Sequence, residues 1–300
     1  MKRIFKWIGF VFGGLIVLLL VAVAVLGFLA SRNLNRIHTH NAPTLTVPSD
    51  AAALERGKHL VHAVATCTSC HGPELAGEVF IDGMPMGVVV AGNLTAGNGG
   101  IGAMYTDQDW VNALRYGVGA DGTALLPMMP SDSFHTLSDD DLGAVVAYLK
   151  SLPPIDSDLP ATALAFPGSI IMGVLAQGDL PANYLPESAE HLTTAPSGTN
   201  SEQGAYLVAV GSCSHCHGDA LNGGRVDPGA PIGPNLTPGG ALAEWTEEDF
   251  VYAMRTGIRP DGSPIDPFMP WSSFGQMTDA ELESIWLYLQ SLEPLEDAFP

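Results

Sequence analysis

The sequence predicts a mostly α-helical protein, one membrane-spanning helix followed by two small tandem helical domains. A run of 23 residues without a charge, Ile8–Ala30, follows a basic start. Two stretches of the remaining chain repeat one order of short motifs, at a constant offset of 140 residues from Thr106 onward. Inside both, apolar residues recur at helical spacing, and no alternating strand pattern competes.

The first element is residues 1–36. Met1, Lys2, Arg3 and Lys6 form its basic flank. As a helix, Ile8–Ala30 rises roughly 35 Å, enough for a hydrocarbon core of about 30 Å. A cleaved secretory signal is the competing reading, with Ala22-Val23-Ala24 as a small-x-small site. That tripeptide lies within the apolar run, and the run exceeds the roughly 7–15 residues of a signal core. The expectation is a retained single-pass anchor in the cytoplasmic (inner) membrane. Its basic flank stays inside, and the remaining chain lies in the periplasm or an equivalent extracytoplasmic space.

The first repeat, residues 50–154, opens with a helical pattern over Ala52–Ala65 and reaches CTSCHG at Cys67–Gly72. NLT follows at Asn93–Thr95, TDQDWVNALRYG at Thr106–Gly117, DG at Asp121-Gly122 and PMMP at Pro127–Pro130. Trp110 and Leu114 share one face of the middle helix. The last helix lies in LSDDDLGAVVAYLKSLPP, Leu137–Pro154. Ser138 is its N-cap, acidic residues fill its first turn, and Leu142, Val145, Val146 and Leu149 line one side before Pro153.

The second repeat, residues 198–295, runs through Glu202–Val210, CSHCHG at Cys213–Gly218, NLT at Asn235–Thr237 and TEEDFVYAMRTG at Thr246–Gly257. DG at Asp261-Gly262, PFMP at Pro267–Pro270 and MTDAELESIWLYLQSLEP at Met277–Pro294 complete it. Phe250 pairs with Met254, Thr278 replaces Ser138, and Leu282, Ile285, Trp286 and Leu289 form the last apolar face. Six features in one order at fixed spacing mark homologous domains. Between them, residues 155–197 form a linker rich in Pro, Ala and Gly. Its apolar patch, Ile170-Ile171-Met172 with Val174-Leu175, is too short to span a membrane. The patch either packs across both domains or meets a bilayer or partner subunit.

All 32 acidic residues lie at or after Asp50, against seven basic ones there, a formal net charge of −25 for the exported part. Such a surface argues against nucleic acid as a partner. It serves solubility, and it equally suits a redox protein partner with a basic docking face.

The four cysteines fall in two clusters, Cys67/Cys70 and Cys213/Cys216, so they bind something rather than staple the chain. With His71 and His217 directly after, both match the c-type haem attachment signature, which predicts two covalently bound haem c groups. Two thiols two residues apart can each form a thioether to one edge of the haem, and the adjacent histidine then offers its imidazole as an axial ligand. Zinc and thioredoxin-like chemistry share CxxC, but neither needs this histidine, and neither copy sits in a βαβ pattern.

Met129 and Met269 hold the same place in the two copies, each before a proline, 58 and 52 residues after the histidines. They are the candidate sixth ligands, since a thioether closes the iron and raises its potential. Met128 is the rival to Met129, but its counterpart is Phe268. Met84, Met86, Met104 and His135 are unpaired and are read as packing or surface residues. Asn93 and Asn235 are turn residues with a second reading, hydrogen bonding near a haem propionate or the methionine sulfur. Arg115 and Arg255, duplicated cations in acidic domains, pair either with a propionate or with a helix carboxylate. Tyr148/Tyr288 and Trp110/Phe250 are duplicated aromatics explained by core packing.

The paired CxxCH and Met-Pro motifs, with a last helix ending YL-x-SL-x-P, resemble the class I cytochrome c family, in particular its tandem, membrane-anchored di-haem members. The resemblance covers 50–154 and 198–295 and implies two tandem class I cytochrome c domains. It also implies iron held by His71 with Met129 and by His217 with Met269. Similar proteins include cytochrome subunits of periplasmic alcohol and gluconate dehydrogenases and cytochromes of respiratory complexes. Those dehydrogenase subunits usually carry three such domains and a membrane-associating C-terminal part, whereas this chain shows two and an N-terminal anchor. As partners the resemblance implies membrane respiratory complex subunits or a dehydrogenase. The departures weigh against an alcohol dehydrogenase subunit and favour a tethered shuttle, or a subunit passing electrons from a quinol-oxidising complex to a terminal oxidase.

The leading function is therefore non-catalytic electron relay rather than an enzyme. A di-haem peroxidase would need one iron to open, and a Met at both sites opposes that. A mainly structural subunit of a respiratory supercomplex is the third reading.

Overall fold

Residues Lys2–Leu34 form a single helix, α1, with side chains exposed along most of its length. In this computed structural model the described residues are 2–39, 44–186, 188–226 and 229–299, the Lys2 side chain excepted. Met1 and that side chain, both assigned to the basic flank, lie outside the described residues. Among the described residues, Arg3–Leu34 is the one stretch of helix long and apolar enough to cross a membrane.

The first domain begins where Asp50 accepts the Ala53 N–H and caps α2 (Ala51–His59). The helix then widens into a π-helical turn at Leu60–Val64, buried except at His62. The first CxxCH motif folds as α3 (Thr68–His71). A reciprocal capping box between Thr106 and Asp109 starts α4 (Asp107–Tyr116), which ends on Gly117 in the left-handed region. After the Met-Pro turn come α5 (Ser131–Phe134) and α6 (Asp139–Ser151), the latter capped by Ser138. The seam between α2 and α6 is set by one glycine: a Cβ on Gly57 would sit 2.0 Å from Ala144 O. Leu60, Val64, Leu142, Val145 and Leu149 fill that seam, with Trp110 and Phe134 beside it.

A hairpin appears where no strand was expected. β1 (Glu78–Gly83) and β2 (Gly87–Ala91) pair antiparallel, and β3 (Ala163–Leu164) adds to β2. The run Val88-Val89-Val90 is β-branched but too short for its period to register against the surrounding loop. Beyond β3 the linker forms α7 (Gly168–Ile170), continuing as a π-helical turn at Ile171–Leu175, and then α8 (Pro181–Tyr184). Its apolar patch packs on α1, and its polar end at 194–198 passes beside Arg56, Asp141 and Glu281 of both domains. Leu192 O and Thr193 O accept the Asp139 and Asp140 N–H groups at 2.8 and 2.9 Å, using donors that α6 leaves open at its start.

The second domain repeats the plan with α9 (Ser201–Val210), α10 (Cys213–His217), a short pair β4 (Asn222–Gly224) and β5 (Gly233–Asn235), and α11 (Glu247–Thr256). It closes with α12 (Trp271–Phe274) and α13 (Asp279–Ser291). α9 crosses α13 at Gly204, where a Cβ would lie 1.9 Å from Ser284 O.

The two domains meet through equivalent surfaces, so their relation is close to two-fold. The π-helical turn after α2 touches α12, while α9 touches α5. His59 Nε2 donates to Glu281 at 2.7 Å, and its counterpart Tyr206 donates its hydroxyl to Asp141 at 2.8 Å. Arg56 joins the two carboxylates, with two bonds of 2.9 Å to Asp141 and one of 3.2 Å to Glu281.

Candidate functional site

In the second domain Cys213, Cys216, His217 and Met269 line one cavity of about 460 Å³. Its walls are largely apolar, with Leu207 from α9, Phe250 and Met254 from α11, and Ile285 and Leu289 from α13. That volume is of cofactor size. The first domain carries Cys67, Cys70, His71 and Met129 on the equivalent elements, with Cys67 and Met129 packed at the edge of its core.

The two histidines are oriented alike. His71 Nδ1 lies 2.7 Å from Gly92 O, and His217 Nδ1 lies 2.8 Å from Pro234 O. A carbonyl only accepts, so Nδ1 carries the proton and Nε2 keeps its lone pair. Burial lowers the pKa of both rings, which holds them neutral and fit to ligate a metal. These acceptors were invisible to sequence reasoning, although each lies just before the Asn of an NLT motif.

Burial pushes the Cys67 and Cys213 thiols up to about 12 and raises Cys70 and Cys216 as well. A redox-active CxxC needs the opposite, a stabilised thiolate. Among the described residues, no three His, Cys, Asp or Glu groups gather to hold a metal ion.

The loops around each motif are strained in matched places. Thr66 and Ser212, just before the first cysteines, have φ of 47° and 57°. Leu75 and Leu221, each four residues after the histidine, have φ of 58° and 55° while buried, which is rare for so large a side chain. Their carbonyls accept Leu94 N–H at 2.9 Å and Leu236 N–H at 2.7 Å, tying the motif loop to NLT. The signal was present in sequence as a repeated CHG-x-x-L.

Asn93 and Asn235 use their amides inside the protein. Asn93 Oδ1 accepts Thr95 N–H at 2.8 Å and its Nδ2 donates to Ile155 O at 2.7 Å. Asn235 does the same with Thr237 N–H at 2.9 Å and Leu295 O at 2.8 Å, and it also borders the cavity. Both are thus Asx turns pinned to the strand of chain beyond the last helix. Arg115 donates to Asp139 at 2.9 Å and Leu137 O at 2.7 Å, and Arg255 to Asp279 at 2.6 Å and to Gly275 O. Both arginines are committed to the start of the last helix, and Arg255 is not part of the cavity wall. The cation that does line the cavity is Arg259, whose counterpart Gly119 hid it from a search for duplicated residues.

The methionine turns match bond for bond. Met129 N–H donates to Leu126 O at 2.9 Å and Met269 N–H to Asp266 O at 3.0 Å, while each methionine carbonyl accepts the N–H two residues on. Trp110, at the position of the cavity-lining Phe250, has a buried Nε1 with no acceptor. A large apolar group with a carboxylate edge fits these sites: each brings two thiols, an imidazole lone pair and a methionine thioether, and the first domain adds the unpaired N–H donor of Trp110.

The two sites adjoin. Ala65 and Thr66, which precede Cys67, and Pro130, which follows Met129, form part of the wall of the second cavity. His215, inside the second CxxCH motif, pairs with Asp132 of the first domain at 2.9 Å.

Comparison with known proteins agrees with the duplication. The family described as "Cytochrome c" matches residues 54–153, and the family described as "Cytochrome C oxidase, cbb3-type, subunit III" matches residues 199–289. The chain is 31% identical over 273 residues to the fructose dehydrogenase cytochrome subunit of Gluconobacter japonicus, covering 83% of this chain and 55% of that one. It is 28% identical to the cytochrome c subunit of the alcohol dehydrogenase (quinone) of Gluconobacter oxydans, over 77% of this chain and 50% of that one. A diheme cytochrome c-type protein of Cereibacter sphaeroides is 29% identical, over 80% of this chain and 86% of its own length. The chain therefore spans about half the length of the dehydrogenase subunits it matches.

Proposed function

The chain is a cytochrome c-family protein with two cytochrome c-like domains, and from that premise we propose that it carries two covalent haem c groups and relays electrons between them beside a membrane. Cys67 and Cys70 would hold the first group and Cys213 and Cys216 the second, through thioethers. His71 and His217 would ligate iron through Nε2, with Met129 and Met269 completing the two sites. Bound there, the iron supplies a one-electron couple that needs no open coordination position. The protein's own part is positional. Gly92 and Pro234 carbonyls fix the histidine rings, the Met-Pro turns hold the thioethers, and the apolar walls keep water out. Trp110 Nε1–H and Arg259 offer donors to carboxylates at the edges.

The observation that carries relay, rather than two isolated carriers, is the shared wall: Ala65, Thr66 and Pro130 of the first site line the second cavity. The proposed setting is the outer face of the inner membrane, held by α1, with the acidic domains docking a basic redox partner. The proposed donor or acceptor is a dehydrogenase, as the dehydrogenase subunits among its relatives suggest, or a respiratory complex.

Intact-mass measurement on the denatured chain tests this. Two haem additions are expected, one in Cys213→Ala/Cys216→Ala, and two resolved potentials in a redox titration. A chain with no covalent haem overturns the proposal. An iron that opens to carbon monoxide on reduction would move it toward an enzyme.

A further inference from the structure

The segment from Phe166 to Leu175 plays no part in the relay, yet it is built against the apolar helix. From Leu159 to Gly178 no residue carries a charge. Ala30, only 1% exposed on an otherwise open helix, is covered by Gly173, where an added Cβ would come within 2.6 Å of Ala30 Cα. Asn33 Nδ2 donates to Gly173 O at 2.7 Å and to Gln177 Oε1 at 2.9 Å. On α1 Ala30 is buried and Val23, Gly27 and Leu29 are half-buried, while Val21, Val25 and Phe28 are exposed. On its outer side the segment presents Phe166 at 60% and Leu175 at 75% exposure. Beside it Met84, 71% exposed, tips the hairpin whose Pro85 and Met86 carbonyls accept Gly168 and Ala165 N–H groups at 2.9 Å.

We propose that residues 166–175 enter the outer leaflet beside α1, and that lipid acyl chains cover Phe166 and Leu175. The inference rests on the reading of α1 as a membrane anchor. The apolar run ends at Ala30, the residue on which the segment sits, so a bilayer that takes in Val23–Ala30 takes in the segment too. Its helical turns satisfy their own backbone groups, and the Gly173–Ala30 contact is the small-residue crossing that helices use in lipid. Asn33, with Arg32 and Arg36 near it, marks the headgroup level. The consequence is a first domain pressed to the membrane in one orientation instead of swinging on a tether.

The test uses the haem-loaded full chain in phosphatidylcholine vesicles, some of the lipid bearing a diazirine in the acyl chain. Leu175→Cys and Leu192→Cys, the latter at a 53% exposed position away from α1, each add one free thiol. Leu175→Cys is expected to react roughly tenfold more slowly with a water-soluble maleimide, which hydrocarbon excludes. Photolysis is expected to label peptide 166–175 as well as α1. Loss of the chain in an alkaline carbonate wash would overturn the anchor reading, and this inference with it. Retention with α1 labelled but 166–175 unlabelled would overturn the inference alone, whether or not Leu175→Cys is protected.

Discussion

One nitrogen of His217 is held by a backbone carbonyl, and that bond leaves the other free to act as a ligand. The methionine is the variable partner. Met269→Ala is expected to lower the potential of one haem and leave the other near its original value, with Met129→Ala doing the reverse, in a spectroelectrochemical titration. If neither potential moves, the methionine assignment is wrong. The cysteines, histidines and methionines were legible because each is a rare residue type repeated in a fixed context. The carbonyls of Gly92 and Pro234 were not, because any residue can supply a backbone acceptor. Arg115 and Arg255 show the opposite difficulty. Duplication marks them as needed, but only the fold brings them to Asp139 and Asp279 at the start of the last helix.

At the level of elements, each domain is held by its first helix crossing its last over a glycine. Gly57→Ala and Gly204→Ala would each drive a methyl into a carbonyl, at 2.0 and 1.9 Å before relaxation. Each is expected to cost roughly 1–3 kcal/mol in denaturant unfolding, as overpacking of a close contact does. A mild effect at either position would mean that the crossing can slide. Helix starts were readable from Ser138, Thr106, Thr246 and Thr278, since a capping hydroxyl followed by a first-turn carboxylate is a local pattern. The hairpin of β1 and β2 has no local sequence signature because its stability comes from pairing between segments and from β3, far along the chain. The π-helical turn after α2 has no such signature either, and the equivalent positions at the end of α9 stay α-helical.

For the whole molecule, the seam between domains joins apolar contacts to a polar cluster of Arg56, His59, Asp141, Tyr206 and Glu281. Burial alone would raise the pKa of Glu281, but the His59 hydrogen bond, the Thr278 N–H and the charges of His59 and Arg56 outweigh it and hold the carboxyl at about 2. With a depressed folded pKa, its stabilisation is complete above the ordinary value of 4.5 and is lost as pH falls through about 2. Calorimetry is expected to show one unfolding transition at neutral pH and two separate ones under acid, with Glu281→Gln separating them already at neutral pH. A single transition throughout would show that the apolar contacts suffice. The seam was not predictable from sequence, because His59 and Tyr206 occupy equivalent positions with different side chains. That equivalence reaches beyond this chain. A protein with only one such domain would present the same two patches to a second copy of itself. Carrying both halves on one chain replaces a concentration-dependent encounter with a tethered one, at an effective concentration on the order of millimolar. On one chain each half can carry a different side of the contact, as His59 and Tyr206 do, without having to be its own partner.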